Sequence, residues 1–463
     1  MNALITAALA LALAQTPGTP STPAPAAATP AAPAPAPAPD AAPVAAPAAP
    51  VALPVLTLDD ALAAAAAQNL DLKAAQARLR QADELSWKAW SGYLPQVTAS
   101  GTYTRNETEA VLPAGSLGPG SPKITIQAQD QLNGLVEATQ ALLAPQLLFA
   151  IPNASRAEEI ARLNVETARR EVLFGVAQAY YGAASLRRAM EVSERLLEIA
   201  ARQEKDARVR YQAGAIAKVG LLRAEIDRAR AEQDVKRSQN AFASARIALA
   251  TLLDRRPDFD VVDPPEPVLA GDADALVAAA LRDRPDVQAA RLNVELQRGA
   301  RNQAVARYLP NLGAFGRYTL ANEAGFTGTN HAWAAGLALQ WKVLDGGLRE
   351  SDIREANAKI DEANASSGSA ELKARQEVEQ AYLDLESARA NAAKAKEQRD
   401  LAAENQRLVD VAFRAGTATA VEQADATAQL RTAEVGQITE SLTAQLAALR
   451  VLKAAGAFHP TRR

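Results

Sequence analysis

Cysteine is absent from the 463-residue sequence, and histidine, aromatic residues and charge of one sign are all scarce. Without a thiol, we expect no disulfide scaffold, thiolate metal site, cysteine nucleophile or cysteine-linked lipid anchor. The two histidines, His331 and His459, exclude a multi-histidine metal site. Aromatic residues make up only 4% of the chain, and a net charge of −3 provides no basic field for nucleic acid. This composition favours long helices with small side chains over a thick globular core.

The N-terminal region has the composition of an export signal followed by a spacer. Residues 3–14 form a hydrophobic run that ends in Ala12-Leu13-Ala14, which predicts a secretory signal over residues 1–14. Residues 15–56 are rich in Ala, Pro and Thr and predict an extended, disordered tether. An ordinary buried helix is the alternative for the run, but the proline tract that follows argues against it. No later stretch approaches the ~18 apolar residues of a membrane helix, so the exported chain is soluble or enters a membrane as strands.

Proline placement divides the rest of the chain. Residues 153–256 and 311–459 contain no proline, and an interior proline costs a helix about 3 kcal/mol, so long helices are predicted there. The prolines clustered at 257–267 indicate a linker. The predicted organisation is a first repeat over 57–256, a linker over 257–270, a second repeat over 271–455 and a tail over 456–463.

The two halves have similar sequences, which predicts a tandem duplication. Residues 70–104 align without a gap to residues 285–319, and both segments contain a Tyr-Leu-Pro triplet. Further along, Ala213-Gly214 matches Ala415-Gly416. A longer loop rich in Gly and Pro, at residues 105–131, accounts for the change of offset between these matches.

Each repeat begins with a helical pattern that changes to strand alternation. Residues 57–92 predict a helix, with Thr57 and Asp60 as a capping pair. The helix must end at the triplets Tyr93-Leu94-Pro95 and Tyr308-Leu309-Pro310, because proline pushes the preceding residue out of the helical region. Alternation then predicts a strand, and return strands at 132–143 and 333–344 complete one β-hairpin per repeat. The exposed antiparallel sheet of a soluble domain is the alternative.

Long helices follow each hairpin. Small and apolar residues recur with 4-3 spacing, which predicts coiled-coil packing. The first set is Val172, Val176, Ala179, Ala183, Leu186, Met190, Ser193, Leu197 and Ala200, and the second is Ala374, Val378, Ala381, Leu385, Ala388, Ala392, Ala395, Arg399 and Ala402. Glycine is the common left-handed helix cap, so the Ala-Gly pairs predict the ends of these helices. A second helix is then expected to return, giving two long helical hairpins.

Four strands cannot close a barrel, since about eight are needed to surround a filled interior. In lipid an open sheet edge is prohibitive, so several chains would have to share one barrel. The predicted fold class is therefore mainly α with a membrane β-barrel portion, in a tandem-duplicated unit of β-hairpin and coiled-coil helical hairpin. The other hypothesis is a soluble periplasmic coiled-coil scaffold or adaptor, which would show one helical hairpin flanked by β-rich modules.

The order of signal, helix, Tyr-Leu-Pro strand hairpin, long helix, glycine turn and return helix, written twice, resembles the TolC-type outer-membrane efflux channel family. Further matching residues are Arg284-Pro285-Asp286 and the run from Val343 to Gly347. The resemblance covers residues 57 to about 455. It implies a homotrimeric α/β-barrel channel set in outer-membrane lipid, with a twelve-stranded barrel and a periplasmic tunnel. It also implies an exit duct for tripartite efflux or type I secretion, with a periplasmic adaptor and an inner-membrane pump as partners.

The resemblance also implies roles for individual residues. Glu422 and Asp425, just after the second glycine turn, match acidic residues that ring the periplasmic entrance in this family. The helix tips would contact the adaptor, through Tyr211, Gly214, Ala215, Phe413, Gly416 and Thr417. Gly220 and Arg223 take the acidic places in the first repeat, and Ala418 stands where some family members have a latching arginine. No nucleophile, convergent carboxylate pair or metal cluster is identifiable, so we expect no enzyme activity, cofactor, metal or nucleic-acid partner.

Overall fold

A computed structural model of the chain describes residues 53–269, 271–324 and 328–458. The predicted signal over 1–14, most of the predicted tether, and residues 459–463 of the predicted tail lie outside the described residues. Across the described ranges, none of the helices combines the length and the apolar character needed to cross a membrane.

The duplication appears as two matching series of elements. In the first repeat these are β1 (Val55–Leu56), α1 (Leu58–Gln68), α2 (Leu70–Ser91), β2 (Gln96–Arg105), β3 (Ala110–Leu112), β4 (Ile124–Gln127), β5 (Asp130–Leu143), α3 (Leu147–Gln212) and α4 (Lys218–Leu252). In the second they are β6 (Asp260–Val261), α5 (Ala273–Asp283), α6 (Pro285–Ala306), β7 (Asn311–Ala321), β8 (His331–Gln340), α7 (Leu348–Arg414) and α8 (Ala420–Ala454). The helix pairs α1/α5, α2/α6 and α4/α8 have identical lengths of 11, 22 and 35 residues.

The single helix predicted over 57–92 is wrong in one respect, because two helices occupy this segment. Thr57 caps α1 by accepting a hydrogen bond from the Asp60 N–H at 3.2 Å, as the sequence predicted. Asn69 then interrupts the helix, since its side-chain oxygen accepts from the N–H groups of Asp71 (2.9 Å) and Leu72 (3.2 Å). This is N-cap geometry, which starts a new helix. In the second repeat Arg284 holds the same place, ahead of Pro285.

Three further boundaries differ from the predictions. Val55 and Leu56, assigned to the tether, form β1 and pair in parallel with β6 in the predicted linker. The loop at 105–131 contains the small hairpin β3–β4. The return strand of the second repeat ends at Gln340, because the chain turns there: the Trp341 indole donates to the Tyr308 carbonyl oxygen at 3.0 Å.

The longest elements of the described residues are helices α3 and α7. Helix α3 has 66 residues and α7 has 67, which is about 100 Å at 1.5 Å per residue. Six of the nine positions in the second coiled-coil set are buried, and the other three are half-buried. In the first set three positions are buried and six are half-buried. The predicted seams therefore face the packed side of both helices.

The helices lie side by side in one layer. Near the sheet the neighbours are α2, α3, α6 and α7 in that order, and towards the glycine turns they are α4, α3, α8 and α7. Helix α2 meets α4 end to end beside α3, and α6 meets α8 end to end between α3 and α7. The layer is therefore four helices wide on both sides of these end-to-end contacts, while α1 and α5 pack against α3 and α7.

The largest buried side chains in the first core cluster are two tyrosines of α3. The Tyr180 hydroxyl lies 2.8 Å from the Leu56 carbonyl oxygen and 3.0 Å from that of Val262. The Tyr181 hydroxyl donates to the Pro265 carbonyl oxygen at 2.6 Å, and burial raises the pKa of Tyr181 to about 12. The pair thus ties strand β1 and the linker between the repeats to α3.

Candidate functional site

The four long strands form one antiparallel sheet in the order β2-β5-β7-β8. The two hairpins meet along β5 and β7, where Val136 lies opposite Tyr318. Within the part of the chain that the structure describes, β2 and β8 each pair on one side only, so the sheet has two open edges. Open edges leave backbone N–H and C=O groups free to pair with another strand.

The register sorts the side chains onto two chemically different faces. In every strand, alternate residues lie on the same face of the sheet. The directly opposed pairs Tyr103–Leu132, Val136–Tyr318 and Tyr318–Trp333 show which residues of neighbouring strands share a face. The apolar face carries Val97, Ala99, Gly101, Tyr103, Leu132, Gly134, Val136, Ala138, Ala314, Gly316, Tyr318, Leu320, Trp333, Ala335, Leu337 and Leu339. The alternation predicted for β2 and β7 is confirmed, and it continues in β5, whereas the opposite side of β8 carries Ala332, Ala334, Gly336 and Ala338.

The opposite face is suited to water. It carries Gln96, Thr98, Ser100 and Thr102 from β2, and Glu137 of β5 forms an ion pair with Arg317 of β7 at 3.2 Å. A sheet with one apolar and one polar face can separate lipid from water. Trp333 lies near the start of β8 and Trp341 directly follows its last residue, Gln340. Both tryptophans are largely exposed, and the strand from Trp333 to Gln340 is about 23 Å long. This length is close to the ~25 Å apolar band of membrane barrels.

The Tyr-Leu-Pro triplets lie where helices α2 and α6 turn into strands, as the sequence predicted. Strands begin directly after Pro95 and Pro310. The Tyr93 hydroxyl donates to the Ala144 carbonyl oxygen at 3.1 Å, and the Tyr308 hydroxyl donates to Glu350 at 2.6 Å. Leu94 and Leu309 are both exposed. Each tyrosine thus links the end of its helix to the segment that follows the return strand of the same repeat.

A buried ion pair supports the second junction and was not singled out from the sequence. The Arg349 side chain is buried and that of Asp345 is nearly so, and they lie 2.7 Å apart. The Arg349 guanidinium stacks 4.4 Å from the centre of the Tyr308 ring. Asp345 belongs to the run Val343–Gly347 that carried the resemblance. The i, i+4 spacing of Asp345 and Arg349 is the feature of the sequence from which this ion pair could have been predicted.

The glycine turns end both long helices as predicted. Gly214 and Gly416 have φ angles of 70° and 77°, the left-handed region that favours glycine. The Ala215 N–H donates to the Arg210 carbonyl oxygen at 2.8 Å, and the Thr417 N–H donates to that of Ala412 at 2.9 Å. The two turns are therefore built alike, and we call them the tips.

The tips of the two helical hairpins contact each other. The Arg210 guanidinium donates to the Phe413 carbonyl oxygen at 3.1 Å and lies 4.5 Å from the centre of the Phe413 ring. Phe413 is buried, whereas Tyr211, Gly214, Ala215, Gly416 and Thr417 are exposed. Phe413 therefore lies between the hairpins, and the exposed members form the outer surface of the tips.

Glu422 and Asp425 lie on one face of α8 just beyond the second tip, and both are exposed there. The Glu422 carboxylate accepts from the Thr419 N–H at 2.7 Å and from the Thr419 hydroxyl at 2.9 Å. These hydrogen bonds lower the pKa of Glu422. Asp425 accepts from the Gln429 amide at 2.8 Å. Thr419 and Glu422 thus form the capping box that starts α8, and Glu422 remains ionised at neutral pH. The Thr-x-x-Glu spacing of this box is visible in the sequence.

A buried carboxylate in the first hairpin was missed at the sequence level. Glu204 is buried and accepts hydrogen bonds from Arg208 and, at 2.8 Å, from Arg228 of α4. The Arg228 hydrogen bond is the main reason that the pKa of Glu204 is lowered. The matching residues of the second hairpin are Gln406 and Leu430, which cannot form this ionic link. Within the described ranges, no three His, Asp or Glu residues are placed to hold a metal.

The sequence is similar to those of known proteins. The family model described as Outer membrane efflux protein matches residues 61–255 and 276–457. Nodulation protein T of Rhizobium leguminosarum bv. trifolii is 23% identical over 373 residues, covering 78% of this chain and 76% of that protein. Fusaric acid resistance protein FusA of Burkholderia cepacia is 26% identical over 317 residues, covering 65% of this chain and 58% of that protein.

The fold is also that of a solved channel. The outer membrane channel CmeC of Campylobacter jejuni superposes with a TM-score of 0.72 at 16% identity, over 88% of this chain and 87% of that one. The amphipathic sheet, the paired helical hairpins and their connections are thus features of a known architecture.

Proposed function

This chain belongs to the outer membrane efflux protein family, and we propose that three copies assemble into a single duct through the open edges of their sheets. The protein is an outer-membrane exit channel for efflux that extends into the periplasm. Its family and fold are those of passive channels. The observation that carries the proposal is the four-stranded amphipathic sheet with open edges at β2 and β8.

Lipid makes the open edges untenable in a single chain. Each backbone group left without a partner in a membrane costs several kcal/mol. Four strands are too few to close on themselves, whereas three copies supply twelve. Pairing β8 of one copy with β2 of the next satisfies both edges and keeps the apolar face outside.

Exposed apolar side chains continue both edges beyond the sheet. Trp87 and Trp90 are exposed on α2, which leads into β2. Val343 and Leu344, three and four residues beyond the end of β8, are also exposed, and Leu344 is 89% accessible. If β8 and β2 of neighbouring copies pair, these two patches are brought to the same interface. Their burial would add to the stability of the trimer.

We expect an intermolecular disulfide when cysteines are placed on the two edge strands. Ala99→Cys on β2 is combined, in three separate double variants, with Trp333→Cys, Ala335→Cys or Leu337→Cys on β8, which lie on the same apolar face as Ala99. The natural chain has no cysteine, so every crosslink is a designed one. In the outer-membrane fraction under oxidising conditions, at least one pair is expected to give a covalent trimer in denaturing electrophoresis.

The matched control places the second cysteine at Ala314 on β7, on the same face but in the interior of the sheet. Strand β5 separates Ala99 from Ala314, so their Cα atoms lie about 10 Å or more apart, beyond the reach of a disulfide. Monomers with every pair, or recovery of the protein in the soluble periplasmic fraction, would contradict the trimeric barrel and favour the scaffold alternative.

We further propose that Glu422 and Asp425 line a constriction at the periplasmic entrance. In a trimer each residue would occur three times around the axis, giving two adjacent rings of carboxylates. Such rings favour cations and repel anions. The capping box supports this role, because it holds the Glu422 carboxylate in place and ionised.

Removing both carboxylates is expected to change conduction. We expect Glu422→Ala with Asp425→Ala to reduce cation selectivity and to alter single-channel conductance in planar bilayers, since six negative charges leave the entrance. The control, Asp361→Ala with Glu362→Ala, removes the same charge from an exposed part of α7. Identical selectivity in the two double variants would refute the constriction.

The partners follow from the same assembly. We propose that the exposed tip residues bind a periplasmic adaptor, while Phe413 positions the tip from inside, and that the adaptor connects the duct to an energised inner-membrane pump. The two helical hairpins per chain support this arrangement over a single-hairpin adaptor. The channel itself uses no cofactor and catalyses no reaction in this proposal.

A further inference from the structure

The end-to-end contacts between helices occur twice, and the two repeats build them with different chemistry. Where α2 meets α4, the Asn69 amide donates to the Leu252 carbonyl oxygen at 3.1 Å. Where α6 meets α8, the Arg284 guanidinium donates to the Ala454 carbonyl oxygen at 3.3 Å. Asn69 matches Arg284, and Leu252 matches Ala454, in the alignment of the repeats. We call these contacts the amide joint and the arginine joint.

Two neighbouring positions also differ between the repeats, alongside the difference between Asn69 and Arg284. The Arg284 guanidinium bonds Glu377 of α7 at 2.6 Å, and the residue that matches Glu377 in the first repeat is Gly175. Just beyond both α4 and α8 lies a residue with positive φ, Asp254 at 49° and Gly456 at 73°. A Cβ on Gly456 would lie 3.3 Å from the Arg284 Cγ. In the second repeat, the longer side chain of Arg284 therefore has both an acidic partner, Glu377, and space beside it that Gly456 leaves open.

The arginine joint connects five helices, α3, α5, α6, α7 and α8. Asp286 binds the Arg284 guanidinium through both carboxylate oxygens, at 3.0 and 2.7 Å. From α3, Arg170 donates to the carbonyl oxygens of Asp283 (3.3 Å) and Gly456 (3.4 Å). The side chains of Arg284 and Arg170 are both mostly buried. A bidentate, partly buried arginine is held in one geometry, unlike an exposed ion pair.

From this difference between the joints we infer that Arg284, with Glu377, is the positioning group that sets the direction of the α7–α8 hairpin relative to the α3–α4 hairpin. Helix α8 extends 35 residues from the joint to the second tip, which is about 52 Å. A rotation of about 5° at the joint therefore moves the tip by about 4–5 Å. A small rotation at Arg284 therefore displaces Glu422, near the second tip, by about the length of a side chain.

Spin labels on the two tips test this directly. Labels at Ala215→Cys and Thr417→Cys, in labelled chains diluted among unlabelled ones, report the tip-to-tip distance by double electron–electron resonance. We expect a narrow distribution in the parent protein. Arg284→Ala is expected to shift or widen it by about 4 Å or more, as the lever length implies. Arg284→Asn with Glu377→Ala, which imitates the amide joint, is expected to restore most of the narrow distribution.

Arg282→Ala is the matched control, because Arg282 makes an exposed ion pair with Asp283 at 2.8 Å only two residues away. It is expected to leave the distances unchanged. If Arg284→Ala does not fold, Glu377→Gln removes the acidic partner and keeps the arginine, and the same widening is expected. Distances in Arg284→Ala and Glu377→Gln equal to those of the parent would overturn the inference.

The distance measurement does not depend on the proposed entrance constriction. Single-channel recording of the same variants tests the constriction separately. The inference rests on the proposed function only in its prediction that a displaced tip changes conductance. Widened distances with unchanged conductance would support the joint and count against the constriction at Glu422 and Asp425. Unchanged distances with altered conductance would count against the joint alone.

Discussion

Replacing Val136 by arginine is expected to prevent stable assembly in the outer membrane. Val136 lies on the apolar face near the middle of β5, opposite Ala99 on one side and Tyr318 on the other. An arginine on the lipid face at mid-membrane depth costs about 2–4 kcal/mol. In a trimer this cost arises three times. We expect the yield of folded trimer in the outer-membrane fraction to fall at least about tenfold.

The adjacent residue provides a control of the same size and charge. Leu135 lies on the polar face, between Ser100 of β2 and Thr319 of β7. Because successive strand residues point to opposite faces, Leu135→Arg would place its charge in water. We expect near-normal yield for Leu135→Arg, measured by the heat-modifiable mobility of the trimer. Equal loss in both variants would mean that the faces are assigned wrongly.

Replacing Tyr180 by alanine is expected to destabilise the periplasmic part by about 4 kcal/mol, because truncation of a buried aromatic costs about 3–5 kcal/mol. The side chain is fully buried in the first core cluster. The Leu56 and Val262 carbonyl oxygens also lose their partner, and an unsatisfied buried acceptor costs about 1–3 kcal/mol. The measurement is the midpoint of thermal unfolding in detergent, compared with the parent protein.

The duplication supplies the control for this change. Tyr382 matches Tyr180 in the second repeat but is only half-buried beside the second core cluster. Tyr382→Ala is therefore expected to cost about 1–2 kcal/mol. A larger loss at Tyr382 than at Tyr180 would show that the packing around β1 and the linker contributes less than the structure indicates. Tyr180→Phe separates the two effects, because it keeps the ring and removes the hydroxyl.

Much of the fold could be predicted because duplicated patterns support each other. The Tyr-Leu-Pro triplets and the Ala-Gly pairs marked helix ends in both repeats, and local chemistry decides such ends. The break at Asn69 was missed because residues 57–92 contain no internal proline. Its signal lay in the other repeat, where Pro285 follows the matching residue. The N-cap hydrogen bond of Asn69 shows that one side-chain amide is sufficient to start a new helix here without a proline.

The candidate site was predictable only where local spacing determines it. Glu422 and Asp425 are placed by a helix start that the sequence displays, so their common face could be inferred. The Glu204–Arg228 link and the Arg284–Glu377 link join residues 24 and 93 positions apart. Which partners meet over such separations depends on how the helices pack. The proposed edge pairing between copies likewise depends on the sheet order, which a strand pattern alone does not specify.

The helical layer is four helices wide both above and below the joints, and this constant width limits what can pass. Three chains would set twelve helices in a ring, and neighbouring axes lie about 8–10 Å apart. The circle through the axes is then about 30–38 Å across, and the helices themselves occupy about 10 Å of that diameter. The remaining bore is about 20–28 Å wide. Hydrated small molecules and unfolded polypeptides would fit a bore of this width in the proposed trimer, whereas most folded domains would be too wide to enter it.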